Sequence, residues 1–121
     1  MDFAQIDSDE FVVYHNKVKL EKRIVQYAVF DEYDIVVLLV SNTGNWEYRD
    51  EIIAIYSNWE CKDYKTLWSY QRKKSDNKPY PIHKIWKVEQ DGKERVACLV
   101  NTADSYYATF VLDVETGDVV G

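Results

Sequence analysis

The sequence has 121 residues, of which 46% are hydrophobic and 30% charged, and its formal net charge is −6. This length and balance predict one folded domain over residues 1–121 and exclude a disordered chain. Four glycines and two prolines exclude collagen-like and low-complexity classes, and the net negative charge argues against general affinity for nucleic acid.

The N-terminal third is rich in strand-forming residues. Residues 11–15 are β-branched and aromatic, and residues 24–30 divide their apolar side chains between two faces. Polar residues 31–34 are expected to turn the chain into a second strand of a hairpin. That strand, residues 35–40, is apolar on both faces, as in a central strand covered on both sides.

A helix over residues 17–30 is the alternative for part of this region. Asn16 would cap it, and Leu20 and Ile24 would share a helical face. The helix would have to accommodate four β-branched residues, which favour strands. Both interpretations of residues 17–30 remain open from the sequence.

Loops and strands alternate through the middle of the chain. Residues 41–45 predict a loop, and residues 51–56 and 64–70 predict strands. Residues 71–81 form the most polar stretch and contain both prolines. We therefore expect an exposed loop at 71–81.

The C-terminal third predicts a meander. Residues 82–88 and 95–100 flank Asp91-Gly92, a strong hairpin signal. Residues 106–114 and 118–120 are the last two predicted strands. The pattern indicates a mainly β fold, or an α+β fold with one short N-terminal helix. We expect an antiparallel meander sheet, or a small sandwich or barrel, of about eight strands.

The tail from Tyr107, reading Tyr-Ala-Thr-Phe-Val-Leu-Asp-Val-Glu-Thr-Gly-Asp-Val-Val, resembles the hairpins of propeller-type β-repeats. Asp113 can cap such a turn with its carboxylate, and Gly117 can supply its residue of positive φ. Residues 52–55 followed by Leu67-Trp68 look like a degenerate second copy. The chain is too short for a closed propeller, so the resemblance implies a meander sheet and no redox activity.

Motifs for catalysis or cofactor binding are missing from the sequence. It has no phosphate-binding loop, dinucleotide-binding loop, nucleophile elbow or zinc-protease motif. Cys61 and Cys98 match no metal motif and are expected to be reduced. No spacing in the sequence points to a nucleophilic centre formed by His83, Cys98 and Asp104. We predict a protein that is not an enzyme and has no catalytic residue, cofactor or metal.

Aromatic residues are unusually frequent, with 10 Tyr, 4 Trp and 4 Phe. All four tryptophans fall within residues 46–86. Trp68 and Trp86 alternate with polar residues in predicted strands and are expected in the core. Trp46 and Trp59 lie beside polar segments and are candidates for a binding surface, because Trp and Tyr are enriched in interface hot spots.

Charge is unevenly distributed along the chain. The net charge is −7 over residues 1–60, +5 over 61–95 and −4 over 96–121. The charges either pair across strands and are solvated, or form an acidic face for a basic partner. On the second interpretation the candidate partner-binding residues are Asp31, Glu32, Asp34, Trp46, Glu47, Asp50, Glu51 and Trp59.

Size, acidity, aromatic content and missing catalytic motifs together resemble the immunity proteins paired with bacterial polymorphic or contact-dependent toxins. The resemblance implies a stoichiometric protein-binding module that neutralises a basic partner, such as a cognate toxin domain, by occlusion. The alternative is a small ligand- or carbohydrate-binding β-domain. A nucleic-acid partner is not favoured, although Arg72-Lys73-Lys74 beside Tyr70 and Tyr80 would suit one.

The N-terminal residues have neither the basic nor the apolar region of a secretory signal. The longest aliphatic run, residues 35–40, is far shorter than the roughly 20 residues of a membrane helix. We therefore expect a cytoplasmic protein with no membrane contact. Unpaired strand edges favour a homodimer formed by edge-strand pairing.

Overall fold

The computed structural model describes residues 1–45, 47–103 and 106–121, and contains three antiparallel sheets. The first sheet comprises β1 (Phe3–Asp7), β2 (Glu10–Val13) and β3 (Asn16–Lys19). The central sheet comprises β4 (Arg23–Phe30), β5 (Ile35–Ser41), β6 (Glu51–Tyr56) and β7 (Lys65–Tyr70). The third sheet comprises β8 (Ile82–Gln90), β9 (Lys93–Ala103) and β10 (Tyr106–Leu112).

The mainly β, antiparallel fold predicted from the sequence is confirmed, and each sheet is a meander. The described residues contain ten strands in place of about eight, because β1 and β3 were not anticipated. Both are short; β3 (Asn-Lys-Val-Lys) is polar, whereas β1 (Phe-Ala-Gln-Ile-Asp) mixes apolar and polar residues. The predicted strand at 118–120 is reduced to an isolated bridge between Leu112 and Val119.

The central sheet is covered on both faces, as the composition of residues 35–40 predicts. Every residue of β5 is buried. Leu38 lies in an apolar cluster with Phe11 of the first sheet. Leu39, on the opposite face, lies in a second cluster with Ile85 of the third sheet. The molecule therefore has three layers and two cores.

The helical alternative for residues 17–30 is wrong. Strand β3 ends at Lys19, β4 begins at Arg23, and β4 pairs along its length with β5. The β-branched residues suit this pairing, and burial of alternate side chains against neighbouring layers outweighs the weak helical periodicity.

Both predicted hairpin turns adopt the expected backbone. Residues 31–33 form a 3₁₀ turn that ends at Asp34 with a φ of 56°. Asp91 and Gly92 have φ values of 55° and 76°, which a two-residue type I′ hairpin requires.

Residues 71–81 join β7 to β8, and the side chains from Arg72 to Lys78 are exposed. Within the three described ranges, no helix is long and apolar enough to cross a membrane.

The C-terminal turn forms as its sequence predicts. One carboxylate oxygen of Asp113 accepts hydrogen bonds from the backbone N–H groups of Glu115 at 2.9 Å and Thr116 at 3.0 Å. Gly117 has a φ of 76°, a conformation that glycine adopts without steric cost. Asp113 and Gly117 therefore have the roles assigned to them from the sequence.

Trp68 of β7 connects this turn to the central sheet. Its indole Nε1 donates a hydrogen bond to the carbonyl of Val114 at 2.8 Å. A Cβ atom on Gly117 would lie 2.5 Å from Cδ2 of the Trp68 ring. The turn is therefore pressed directly onto a buried indole, and only glycine leaves room for that contact.

Replacing Gly117 tests this contact. We expect Gly117→Ala to lower the free energy of unfolding by about 2–5 kcal/mol, because backbone strain and overpacking against Trp68 combine. Gly92→Ala is the matched control, since Gly92 has the same φ of 76° but no atom within 4 Å of its added Cβ. It should cost only about 1–2 kcal/mol. Urea unfolding measures both, and equal losses would refute the role of the indole contact.

Candidate functional site

Because the strands of each sheet are antiparallel, the connections between them lie alternately at two opposite ends of the molecule. Tyr14, between β2 and β3, donates a hydrogen bond from its hydroxyl to the Asp34 carboxylate. The N–H of Ser57, after β6, donates to the Asp34 carbonyl at 3.1 Å. Tyr33 and Glu115 line the same surface depression. These contacts place the turns of all three sheets at one end.

We call this region the acidic end and define it as Asp2 with residues 14–15, 31–34, 57–64, 91–92 and 113–118. It contains a single lysine, Lys62, and no arginine. Its ten acidic residues are Asp2, Asp31, Glu32, Asp34, Glu60, Asp63, Asp91, Asp113, Glu115 and Asp118.

The connections at the opposite end are nearly neutral. Contacts there join the first sheet to itself and the central sheet to the third, including the Ile82 N–H that donates to the Arg49 carbonyl at 2.7 Å. Residues 8–9, 20–22, 42–50 and 71–81 contain five acidic and six basic residues. The charge imbalance of the connections therefore lies at the acidic end.

Tyr14 brings two predicted candidates together at the acidic end. Its hydroxyl contacts Asp34, and its ring centroid lies 4.9 Å from that of Trp59. Trp59 also meets the ring of His15 edge-on at 4.9 Å, and 60% of its surface is exposed. Trp59, whose exposure the sequence left open, is therefore an exposed side chain, and two rings contact one side of its indole.

The acidic turn surrounds this aromatic group. The hydrogen bond to Asp34, followed by burial, raises the pKa of the Tyr14 hydroxyl to about 12. The Asp31 carboxylate lies 3.0 Å from the terminal amine of Met1 and raises the pKa of that amine, mainly through a hydrogen bond. Glu32 is exposed. Asp34 therefore organises the site, while Glu32 is available to a partner.

Glu47, Asp50 and Glu51 lie at the opposite end. Asp50 is buried and accepts hydrogen bonds from the backbone N–H and side-chain amide of Asn42, both at 2.9 Å. Glu51 is buried and lies 2.6 Å from the Lys22 ammonium. Glu47 is exposed. The predicted set is thus divided between the two ends, and Asp50 and Glu51 make internal contacts. Trp46 lies outside the described residues.

Sequence reasoning missed Tyr14 and His15 as site residues. Tyr14 has a φ of 54°, which is uncommon for a residue other than glycine. Its N–H donates to the Asp2 carbonyl at 3.1 Å, and its hydroxyl reaches a residue 20 positions away. No local pattern could have signalled these contacts, because they depend on the packing of the first sheet against the central sheet.

The described tryptophans do not form one platform. Trp68 is only 9% exposed and belongs to the core, as predicted. The prediction that Trp86 lies in the core is wrong, because this side chain of the third sheet is only half-buried and belongs to neither core cluster. The Lys84 ammonium lies 5.3 Å from its ring centroid. Trp59 lies at the acidic end on the side of the first sheet. The three indoles therefore occupy three separate environments.

Cys98 is buried and Cys61 is partly buried, whereas Asp104, which the sequence analysis considered together with His83 and Cys98, lies outside the described residues. Burial raises the pKa of the Cys98 thiol to about 11, and the thiol donates a 3.6 Å hydrogen bond to the Phe110 carbonyl. Cys61 and Cys98 are both free. Among residues 1–45, 47–103 and 106–121, no three His, Cys, Asp or Glu side chains are grouped to hold a metal ion.

Comparisons of this chain with protein-family models, curated proteins and solved structures found no match in any of the three. The acidic end combines the strongest charge imbalance of the molecule with an exposed tryptophan held in place by two neighbouring rings. It is therefore the feature from which we infer a function.

Replacing Tyr14 with Phe tests the link between Asp34 and the aromatic group. We expect Tyr14→Phe to lower the free energy of unfolding at pH 7 by about 1–2 kcal/mol, because the hydrogen bond to a carboxylate is lost. In the folded protein the pKa of the Tyr14 hydroxyl is raised from 10.0 to about 12. The stabilisation is therefore complete below about pH 10 and disappears as the pH rises to 12.

Urea unfolding of both proteins between pH 7 and 12 measures this difference. The exposed Tyr27 of β4 provides the control, since Tyr27→Phe should change stability by less than about 0.5 kcal/mol. A difference between wild type and Tyr14→Phe that stays constant up to pH 12 would contradict the assigned hydrogen bond.

Proposed function

We propose that the protein is a stoichiometric protein-binding module, most concretely an immunity protein that neutralises a toxin in the cytoplasm. The acidic end would cover the cationic substrate-binding cleft of a basic toxin domain. Occlusion needs no chemistry from this chain and depends only on shape, charge and a few anchoring side chains. The observation that carries the proposal is the exposed Trp59, supported by two rings, at the end of the molecule where the connections hold ten carboxylates and one lysine.

The charges of the acidic end favour a basic protein partner. Among the described residues, two of its ten carboxylates pair with a cation: Asp31 with the terminal amine at 3.0 Å and Asp113 with Arg95 at 3.9 Å. The others contribute to a negative potential over one end of the molecule. Such a potential accelerates association with a basic surface and rejects acidic ones.

Trp59 supplies the apolar anchor that charge alone does not provide. An exposed tryptophan on a surface rich in carboxylates resembles an interface hot spot, where an aromatic side chain that is desolvated on binding is surrounded by polar groups. The rings of Tyr14 and His15 already restrict the indole. Less side-chain entropy is therefore lost on binding than for a freely rotating tryptophan.

The alternative, a ligand- or carbohydrate-binding domain, would need aromatic side chains on a common surface. The dispersal of Trp59, Trp68 and Trp86 does not favour it. The homodimer formed by edge-strand pairing stays a prediction, as does the cytoplasmic location.

The proposal is tested by isolating a partner and mapping its binding. Cells that naturally express the protein are probed with the tagged chain, and a captured basic protein is purified and titrated. We expect a 1:1 complex whose affinity falls with salt. Trp59→Ala should weaken the complex by about 30-fold or more, and Glu32→Gln should slow association severalfold at low ionic strength.

Matched controls come from the opposite end. Glu21 and Tyr106 are exposed there, so Glu21→Gln and Tyr106→Ala should each change affinity by less than about twofold. The partner alone should arrest growth when expressed in a host, and co-expression of this chain, but not of Trp59→Ala, should relieve the arrest. Salt-independent binding, or equal effects of the control variants, would contradict occlusion by the acidic end.

A further inference from the structure

The connection between β7 and β8 is a structured, basic element, which we call the basic arm (residues 71–81). Lys73 and Pro79 form an antiparallel bridge, and the Lys74 N–H donates to the Lys78 carbonyl at 2.8 Å. The Tyr80 N–H donates to the Arg72 carbonyl at 2.7 Å. The arm is therefore a small hairpin with internal hydrogen bonds that hold its side chains in defined positions.

The arm concentrates positive charge, with four cationic side chains against a single carboxylate, Asp76. Arg72, Lys73, Lys74 and Lys78 are exposed, and none lies within 4 Å of a carboxylate among the described residues. Elsewhere in the described parts of the chain, lysines and an arginine do form such pairs. Four cations held within seven residues repel one another, and an anionic ligand would relieve this repulsion.

Two of these cations are oriented by aromatic rings. The Arg72 guanidinium lies 4.4 Å from the centroid of the Phe110 ring, within cation–π distance. The Lys74 ammonium lies 5.5 Å from the Tyr80 centroid. Because Arg72 is already positioned, its fork of N–H donors is available for two-point binding of a phosphate or carboxylate.

The arm and strand β9 border an open cleft with two halves. One half, of about 550 Å³, has Arg72 and Lys73 in its wall. The other, of about 390 Å³, is lined by Lys74 as well as by the polar residues Ser75, Asp76 and Asn101. Tyr80 and Thr102 line both halves, which are therefore adjacent. These volumes fall in the range of roughly 300–1,000 Å³ usual for small-molecule sites.

We propose that this cleft binds a nucleoside phosphate, either free or at the 5′ end of an oligonucleotide. Arg72 and Lys73 would bind the phosphate. Asp76, an acceptor, would bind the ribose hydroxyls, as acidic residues do in dinucleotide-binding sites, and the Tyr80 ring would contact the base.

The proposal is independent of the function assigned to the acidic end, since the basic arm lies at the opposite end. Isothermal titration calorimetry of the full chain would use adenosine 5′-monophosphate, adenosine, inorganic phosphate and a 5′-phosphorylated dinucleotide. We expect saturable 1:1 binding of the monophosphate, and weaker binding of adenosine and of inorganic phosphate. Tighter binding of the dinucleotide than of the monophosphate would identify an oligonucleotide end as the source.

Charge-neutralising variants locate the site. The double variant Arg72→Gln/Lys73→Gln should weaken monophosphate binding by about tenfold or more. Lys62→Gln/Lys65→Gln removes the same charge from exposed positions near the acidic end and should change affinity by less than about twofold. Circular dichroism and thermal unfolding confirm that both variants are folded.

Three results would overturn the proposal. The first is no binding of the monophosphate or the dinucleotide at millimolar concentration. The second is equal affinity for inorganic phosphate and the monophosphate, since the cleft would then recognise only an anion. The third is an equal loss in both double variants, since binding would then reflect net charge.

Discussion

Strand β5 is buried on both faces, and the rest of the structure depends on covering it. A strand whose seven residues are all inaccessible needs an apolar layer on each side. The first sheet covers one face through Phe11 and Val18, and the third covers the other through Ile85 and Val96. The first sheet has only three strands of four or five residues, so packing on the central sheet accounts for much of its stability.

This layering also decides where charge accumulates. Antiparallel strands send alternate connections to opposite ends, and the three sheets are aligned so that their acidic turns meet. Residues distant in sequence, from Asp2 to Asp118, thereby contribute to one surface. The cost of bringing like charges together is kept modest, because the turns are solvated and screened by salt.

The two ends are stabilised in different ways. At the acidic end, Tyr14 spans the first and central sheets, and its contacts with Asp34 and Trp59 position the exposed indole. At the other end, backbone hydrogen bonds within residues 71–81 keep a basic hairpin beside β9. We propose a basic protein as the partner of one end and a nucleoside phosphate as the ligand of the other, and neither proposal depends on the other.

The sequence by itself determined the mainly β, antiparallel fold class, most of the strands and the turns at Asp91-Gly92 and Gly117, because these depend on local periodicity and on the backbone preferences of turn residues. It also assigned Trp68 to the core, whereas the exposure of Trp59 was visible only in the tertiary structure. Only the tertiary structure decided the three-layer arrangement, the choice of strand over helix at residues 17–30, and which acidic residues share a surface. Asp50 and Glu51, which are close to Trp46 in sequence, are buried and make internal contacts. The Tyr14 hydroxyl, in contrast, donates a hydrogen bond to Asp34, 20 positions away. The physical reason is that burial and long-range contacts depend on which sheets pack against each other, and the residues of a short segment do not determine which sheet will cover it.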